Sequence, residues 1–434
     1  MKARNRELLG LVPAALLVTA GFAAVFIQQN DLREEISDLS LTYGAIFLGL
    51  CVALHMVVRF ALPNADPYLL PLVAVLTAFG LVMIYNIDED LARDQATWFV
   101  VGVVVVAAAL VFLRDYRVLE RYRYTIALAG IVLLLLPRVP GISAQVNGAY
   151  LGVELGPVSF QPAELAKIAL IVFLASYLRD TRQMMMQRLR LKDLGPLLLV
   201  WGASMVLLVF IRDLGSSLMF FGGFLALVYV ATSRISFVAI GLALFAAGAA
   251  FFTNTVGHVQ GRIDAWQNPF DRELYEAEIG GSYQIAQSLF AQADGGLFGT
   301  GFAQSLLNLE GGARILPAAE TDLIYALITN ELGLVGAAAL IGVYLMIIER
   351  GFKIAMLADD SFSKLLATGL TAVFALQVFV IVGGVTKLIP LTGVTLPFVS
   401  YGGSSIVANM ILLALLLIVS DHARSEAQRR GGVV

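Results

Sequence analysis

Cysteine and histidine are scarce in this chain, which has one cysteine and three histidines among 434 residues. The lone Cys51 cannot form an internal disulfide, and His55, His258 and His422 have none of the spacings of zinc sites. The chain also lacks the motif G-x-x-x-x-G-K-S/T, whose glycine-rich loop cradles nucleotide phosphates. The sequence therefore excludes a disulfide-stabilised fold and indicates neither a zinc enzyme nor a built-in nucleotide hydrolase.

Charged residues are scarce as well. They make up 14% of the chain, whereas 59% of its residues are hydrophobic and the mean hydropathy is +0.83. Soluble domains carry about 25% charged residues, so this chain can be stable only with most of its surface in lipid. The net charge of -3 gives no indication of nucleic-acid binding, and no nucleic-acid partner is expected.

Long apolar stretches fill most of the sequence. Windows of about 20 mostly apolar residues mark membrane helices, and they predict an all-α polytopic membrane protein with about 12 transmembrane helices. The predicted spans are residues 8–28, 41–62, 67–85, 96–113, 122–137, 162–178, 195–211, 214–232, 236–254, 321–348, 363–385 and 401–420. The first apolar run is too long for a signal peptide, so we expect it to be retained.

Lysine and arginine are unevenly distributed over this map. With a cytoplasmic N-terminus, 20 of the 29 lie on the inner side, 8 lie on the outer side and Lys167 lies within a span. Cytoplasmic segments carry an excess of basic residues, so the asymmetry predicts that both termini are cytoplasmic.

Three polar segments then face outward: residues 138–161, about 255–320, and 386–403 between the last two spans. Only the segment 255–320 is long enough to hold its own structure. Irregular chain at membrane depth is tolerated only where protein buries it or where it lines a wet cavity. We therefore expect any chemistry on the outer side.

Two charged residues lie inside a predicted span, where a charge costs at least about 2.5–3.5 kcal/mol on insertion scales. Glu164 and Lys167 are three residues apart and therefore share one helix face. They are either a self-neutralising pair that packs helices together or part of a buried polar cavity beside residues 138–161. The spacing leaves both interpretations open.

Asp322 lies where the chain enters a predicted span, at the end of the longest outer segment. It either complements the helix dipole in a first turn that Thr321 caps, or acts as a partly desolvated general base. Glu331, nine residues further on, is expected to be a structural acid rather than a partner of Asp322.

Two arginines in outer segments also have two interpretations each. Arg262 either binds an anionic headgroup, since a guanidinium matches phosphate geometry, or is solvated. Arg212 with Asp213 either belongs to a functional site or forms the polar turn that two adjoining spans need.

Six stretches of this sequence occur together in one known family. They are NGAYLGVELGPVSFQPAELAK, RDLGSSL, GRIDAWQNPFD, YQIAQSLFAQADGGLFGTG, LPAAETDLIYALITNELGLVG and IPLTGVTLPFVSYGGSS. They follow the family's order from about residue 67 to the C-terminus, and S-Y-G-G-S-S together with T-D-x-I after L-P is highly specific. The chain therefore resembles the SEDS family (RodA, FtsW and SpoVE), and its two extra N-terminal spans resemble the actinobacterial RodA branch.

The resemblance implies a peptidoglycan glycosyltransferase that polymerises lipid II into glycan strands during cell elongation or division, in the inner (plasma) membrane of a bacterium. It implies inverting transfer from a polyprenyl-pyrophosphate donor to the 4-hydroxyl of an N-acetylglucosamine acceptor, with a class B penicillin-binding protein as partner. A divalent cation could bridge the phosphates, but no ligand cluster in the sequence requires one. The implied division is an N-terminal two-helix membrane extension (1–66), a core (67–421) and a cytoplasmic tail (422–434).

The resemblance also assigns roles to residues. Asp322 matches the family's catalytic aspartate. Because the departing pyrophosphate needs positive charge, Arg262 is the first candidate to bind it, followed by Lys387 and Lys167. The further candidates for substrate binding are Glu164, Gln161, Ser400, Tyr401, Gly402, Gly403 and Ser404, of which the last five either donate hydrogen bonds or only shape a helix entry.

The sequence departs from the family near these residues. Gly152 replaces a tryptophan that matters for activity in the family, and no nearby residue obviously substitutes for it. Ala318 and Glu320 replace the family's glutamate and histidine. Two alternative functions stay open: a flippase or transporter of the lipid-linked precursor, in which Asp322 only binds substrate, and a non-catalytic scaffold of the elongation or division machinery.

Overall fold

The computed structural model describes residues 2–29, 36–113, 115–146, 149–156, 158–187, 191–277, 281–305 and 315–430. Within these ranges the chain forms sixteen α-helices and one three-stranded sheet. The helices are α1 (Lys2–Gln29), α2 (Ile36–Ala61), α3 (Leu69–Ile87), α4 (Glu89–Phe112), α5 (Val118–Arg121), α6 (Arg123–Leu135), α7 (Pro162–Gln187), α8 (Leu191–Phe210), α9 (Leu214–Thr232), α10 (Ile235–Thr255), α11 (Gly257–Gln267), α12 (Arg272–Glu276), α13 (Tyr283–Gly295), α14 (Ile324–Leu357), α15 (Ser361–Val385) and α16 (Gly403–Arg429). The strands are β1 (Ser143–Val146), β2 (Ala149–Leu155) and β3 (Val158–Phe160).

Each of the twelve predicted spans falls on a helix, and the protein is an all-α multi-pass membrane protein. Over the described residues, nine helices are long and apolar enough to cross a membrane: α1, α2, α3, α4, α9, α10, α14, α15 and α16. Helix α6 has 13 residues and the apolar part of α8 is Gly195–Phe210, which are shorter than the roughly 20 residues of a full span. The count of twelve therefore stays a prediction.

Helix α15 lies at the centre of the bundle, where it packs against α7, α9, α14 and α16. The N-terminal pair is docked on this core, because α1 packs along α3 and α2 packs against α4. Close approach depends on small residues: a Cβ at Gly21 would lie 2.6 Å from the side chain of Val82. The boundary at residue 66 stays a prediction.

The segment 138–161, which we expected to face outward, is more regular than its sequence suggested. Its strands form an antiparallel sheet in the order β1-β2-β3, which pairs backbone groups that irregular chain would leave unsatisfied. The Tyr150 N–H also donates to the Ile211 carbonyl at 3.1 Å, so the sheet is attached to the turn between α8 and α9. The segment 255–320 contains α11, α12 and α13.

The predicted start of the span at residue 321 is wrong by three residues. Helix α14 begins at Ile324, and its N-cap is Leu323, which makes no side-chain capping hydrogen bond. Thr321 therefore does not cap the helix, and Asp322 lies in the turn before it rather than in its first turn.

Candidate active site

The candidate site is built around the loop between α15 and α16, residues 386–402. This loop contains no helix or strand, and neighbouring elements hold its backbone from several sides. The guanidinium of Arg262 in α11 donates to the carbonyls of Leu391 at 3.3 Å and Thr392 at 3.2 Å. The side chain of Gln377 in α15 donates to the Thr395 carbonyl at 2.9 Å.

Asp322 faces this loop. A Cβ at Gly393 would lie 3.5 Å from the Asp322 Oδ2, an ordinary contact distance, and the φ of 73° at Gly393 is a backbone conformation that favours glycine. Burial raises the pKa of Asp322 from its usual 3.8 to about 6; the nearby Arg262 opposes this rise and Glu320 adds to it. A half-buried carboxyl with such a pKa is suited to general-base chemistry near neutral pH.

Asp213 is a site residue whose role the sequence left open. It lies at the N-terminus of α9, where its Oδ1 accepts from the Ser216 N–H at 2.9 Å and caps the helix. Its Oδ2 is buried and has no hydrogen-bond partner among the residues that the structure describes. Burial raises the pKa of Asp213, and Arg262 opposes the rise. Arg262 therefore lies close to two acids, Asp213 and Asp322.

Glu164 and Lys167 form the ion pair that their spacing predicted. The Lys167 ammonium donates to Glu164 at 2.9 Å and to Gln377 at 2.7 Å, and both charged side chains are only 3% exposed. Since Gln377 also holds Thr395, the pair supports the 386–402 loop from within the membrane. The structure therefore shows a self-neutralising pair within a buried polar cluster, whereas a buried polar cavity beside residues 138–161 stays a prediction.

The candidate substrate-binding residues near position 400 form hydrogen bonds with other residues of the chain. The Ser400 hydroxyl donates to the Thr321 carbonyl at 2.7 Å, and the Tyr401 N–H donates to the Glu320 carbonyl at 2.7 Å. These two bonds fix the turn that carries Asp322. Further on, the Gly402 N–H donates to Gln95 at 3.1 Å, the Ser404 hydroxyl accepts from the Gln161 N–H at 2.8 Å, and Gly403 lies against Trp98. These contacts favour a role in shaping the site.

Lys387 lies further from the acids. Its ammonium is 3.5 Å from the carbonyl of Gln267, the last residue of α11, and its own carbonyl accepts from the Trp266 indole at 3.0 Å. Five residues of helix separate Gln267 from Arg262, which corresponds to about 7 Å. Arg262 is therefore the better placed of the two cations.

Gly152 lies buried in β2 opposite Ala144. The register of the β1–β2 pair shifts by one residue, since Tyr150 pairs with Gln145 whereas Gly152 pairs with Ala144. Paired residues lie on the same face of a sheet, and neighbouring residues of one strand face opposite sides. Because their partners are neighbours in β1, Tyr150 and Gly152 lie on opposite faces. Tyr150 therefore does not replace the missing tryptophan, and Asn147 and Gly148 of the same motif lie outside the described residues.

A small pocket lies beside Lys167. Side chains of α7, α8, α9 and α15 line it, and apart from Lys167 its lining is apolar or aromatic. Among the described residues, no cluster of three or more His, Cys, Asp or Glu side chains could hold a metal ion.

The family model described as "Cell cycle protein", named after FtsW, RodA and SpoVE, matches residues 67–425. The peptidoglycan glycosyltransferase RodA of Mycobacterium tuberculosis is 42% identical over 447 residues, which cover 98% of this chain and 92% of that protein. Stage V sporulation protein E of Bacillus subtilis is 31% identical over 371 residues, which cover 83% of this chain and 98% of that protein.

Two solved structures share the fold and part of the sequence. The rod shape determining protein RodA of Thermus thermophilus matches with a TM-score of 0.60 at 26% identity, covering 82% of this chain and 96% of that chain. A chain from a peptidoglycan synthase complex, described as coordinating polymerization and crosslinking, matches with a TM-score of 0.67 at 26% identity, covering 83% of this chain and 98% of that chain. The chain thus belongs to the membrane protein family of FtsW, RodA and SpoVE.

Proposed function

We propose that this chain polymerises lipid II into glycan strands, with Asp322 as the general base. The class of reaction, peptidoglycan glycosyl transfer, is that of its curated relatives. The observation that carries the proposal is the placement of Asp322: a half-buried carboxyl facing Gly393 and Arg262, with a pKa that burial raises to about 6.

The chemistry divides between the two charged groups. The Asp322 carboxylate takes the proton of the acceptor sugar's 4-hydroxyl while that oxygen attacks the anomeric carbon of the donor. The bond from this carbon to the pyrophosphate breaks, and the polyprenyl pyrophosphate leaves with the electron pair. The protonated Asp322 then returns its proton to water.

Arg262 serves the leaving group. Its guanidinium is held by two loop carbonyls and lies close to Asp213 and Asp322. Fixed donors aimed at developing charge lower a barrier most when they need no reorganisation. The carbonyl contacts provide that fixed position, and Asp213 balances the cation when no pyrophosphate is present.

The same proposal includes the surroundings of the enzyme. The excess of basic residues on one side supports cytoplasmic termini and an active site on the outer face of a bacterial inner membrane. A class B penicillin-binding protein is the partner we propose, and the likeness to a chain of a peptidoglycan synthase complex supports it. The extension 1–66, the core 67–421 and the tail 422–434 are the proposed units.

Purified full-length chain in detergent, supplied with lipid II and the partner, tests the proposal. We expect the wild type to form glycan polymer and Asp322→Asn to reduce the rate at least about 100-fold, the scale of general-base catalysis. Asp90→Asn is the matched control, since it also neutralises an outward-facing acid but one that is exposed at the start of α4. It should leave the rate unchanged.

The assay also separates the alternatives. A flippase needs two compartments, so polymer formed in detergent would exclude flipping as the only activity. The Glu164–Lys167 ion pair also speaks against a flippase, because the two side chains neutralise each other instead of lining an open path. Equal polymer from wild type and Asp322→Asn would overturn the assignment of the base, and no polymer from either would support the scaffold.

A further inference from the structure

Helix α14 is broken inside the membrane, two residues after a buried acid. Gly333 has a φ of 66° and a ψ of -171°, so residues 324–332 form a short separate segment. At 1.5 Å per residue this segment is about 13 Å long. Only Leu323 separates this segment from Asp322, so a movement of residues 324–332 is transmitted to Asp322.

A second stretch, residues 295–305, clamps the break; we call it the clamp. The N–H groups of Leu334 and Val335 donate to the carbonyls of Gly296 at 3.0 Å and Leu297 at 3.2 Å. In return, the N–H groups of Thr300 and Gly301 donate to the carbonyls of Asn330 at 2.9 Å and Glu331 at 3.1 Å. The clamp thus pairs backbone groups that the helix break frees, which broken membrane helices require.

Glycines make this backbone contact possible. A Cβ at Gly299 would lie 2.0 Å from the Glu331 carbonyl oxygen, and one at Gly333 would lie 2.4 Å from the Gly299 nitrogen. Gly295 is equally close to the Thr329 carbonyl, at 2.1 Å. Three glycines therefore fit two stretches of backbone directly against each other, and no larger residue can replace them without separating the stretches.

Glu331 joins the clamp to the helix core. It is 1% exposed, and its carboxylate accepts from the Asn86 amide of α3 at 2.7 Å. It also accepts from the Ala303 N–H at 3.0 Å and the Ser305 hydroxyl at 2.6 Å, both in the clamp. One buried carboxylate therefore connects α14, α3 and the clamp, and none of its three partners belongs to α11 or to the 386–402 loop.

We infer that Glu331 is a positioning residue: by holding the clamp against residues 324–332 it keeps Asp322 beside Arg262 and Gly393. This inference rests on the proposed function of Asp322. The glutamate does not touch the reacting atoms. Its carboxylate acts through three hydrogen bonds that a glutamine cannot all make in this geometry, because its amide nitrogen would meet either the Ala303 N–H or the Asn86 amide nitrogen with a donor.

Kinetics of Glu331→Gln provide the first test. We expect kcat to fall about 10- to 100-fold, since a displacement of about 1 Å costs that much, while KM for lipid II stays unchanged. The low-pH limb of the rate should also move from about pH 6 towards 4, because a displaced Asp322 loses the burial that raises its pKa. The neighbouring charges, Arg262 and Glu320, have smaller effects of opposite sign on that pKa. A general loss of folded protein would lower the rate at every pH without moving the limb.

A pair of glycine variants provides the matched control. Gly296 and Gly299 both have positive φ, at 52° and 84°, so alanine is strained at either position. A Cβ at Gly296 meets open space, whereas one at Gly299 meets Glu331. Gly299→Ala should therefore reproduce the kinetics of Glu331→Gln, and Gly296→Ala should not. Equal effects of the two alanines would overturn the role of the clamp.

A measurement without catalysis separates this inference from the proposed function. Spin labels at Phe298→Cys, which is 77% exposed in the clamp, and Asp90→Cys on α4 report their distance, while the buried Cys51 stays unlabelled. Glu331→Gln should broaden a narrow distance distribution. If the distance distribution stays narrow in Glu331→Gln, the inference is contradicted, even if Asp322→Asn is inactive. If the distribution broadens but Asp322→Asn is active, Glu331 holds the clamp and only the assignment of Asp322 as the base is wrong.

Discussion

Arg262 lies close to both Asp213 and Asp322, so three charged residues meet at the candidate site. The positions of Asp322 and Arg262 in the sequence left two interpretations each, and the resemblance to the family made them the candidate base and the first candidate to bind the pyrophosphate. The sequence left Asp213 with two interpretations, part of a functional site or part of a polar turn, since two adjoining spans need a polar turn in any case. Its importance arises only because α11, far along the chain, places Arg262 close to it.

The activity of the wild type should depend on the charge of Asp322. Its pKa is raised to about 6 by burial, and a base must be deprotonated to act, so activity is full above this pKa and is lost as pH falls through it. We expect half the plateau rate near pH 6 and about a tenth of it near pH 5. Initial rates of polymerisation between pH 4.5 and 8 measure this. A limb centred near pH 4 would mean that Asp322 is solvated.

At the level of elements, hydropathy located the helices but not their ends or interruptions. The start of α14 was placed too early because threonine is a common N-cap residue. In the structure the Thr321 carbonyl accepts from Ser400, and the chain makes a further turn before the N-cap residue Leu323. The break at Gly333 depends on contact with Gly299, and such a contact between distant glycines leaves no periodic signal in the sequence.

The small sheet was missed for a similar reason. Its strands are three to seven residues long, which is too short for a clear alternation. It is anchored from outside: the guanidinium of Arg138 lies 3.8 Å from the ring centre of Tyr150 and 4.0 Å from that of Phe210. This stack and the Tyr150–Ile211 hydrogen bond join the sheet to the turn that carries Asp213.

Tyr150→Ala tests this anchor. Loss of the ring removes one face of the cation–π stack, worth about 0.5–2 kcal/mol, so we expect a lower apparent melting temperature in detergent. We also expect a several-fold lower polymerisation rate, because the Asp213 turn loses support. Tyr150→Phe keeps the ring and should behave like the wild type. If both variants lose the same activity, the hydroxyl rather than the stack is responsible.

At the scale of the whole molecule, the composition predicted a membrane-embedded helical protein correctly because the excess of apolar residues leaves no soluble alternative. What composition does not provide is how the N-terminal pair attaches to the rest. In the structure a buried polar group joins α1, α2 and the chain just before α3: Arg4 binds Glu7 and the Ala65 carbonyl, and Glu7 binds the His55 ring at 2.7 Å. Asp66, the next residue after Ala65, pairs with Arg424 at 3.2 Å.

Removing one member of this buried group should destabilise the whole protein. Glu7→Ala leaves the guanidinium of Arg4, whose side chain is 4% exposed, without its counter-charge, and breaking a buried pair in this way costs about 3–5 kcal/mol. The measurement is the apparent melting temperature in detergent. Glu89→Ala is the control, since it breaks an ion pair whose side chains are 64% and 49% exposed and should cost less than about 1 kcal/mol.

The double variant Arg4→Met with Glu7→Met tests whether the unpaired charge of Arg4 is what destabilises Glu7→Ala. Replacing both charges by apolar side chains of similar length removes the desolvated charge together with its partner, and such replacements are often neutral. We therefore expect the double variant to recover most of the melting temperature that Glu7→Ala loses. If instead the double variant melts as low as Glu7→Ala, the unpaired charge of Arg4 is not what destabilises the single variant. The packing of helices α1 and α2 would then depend on the Arg4–Glu7 ion pair itself.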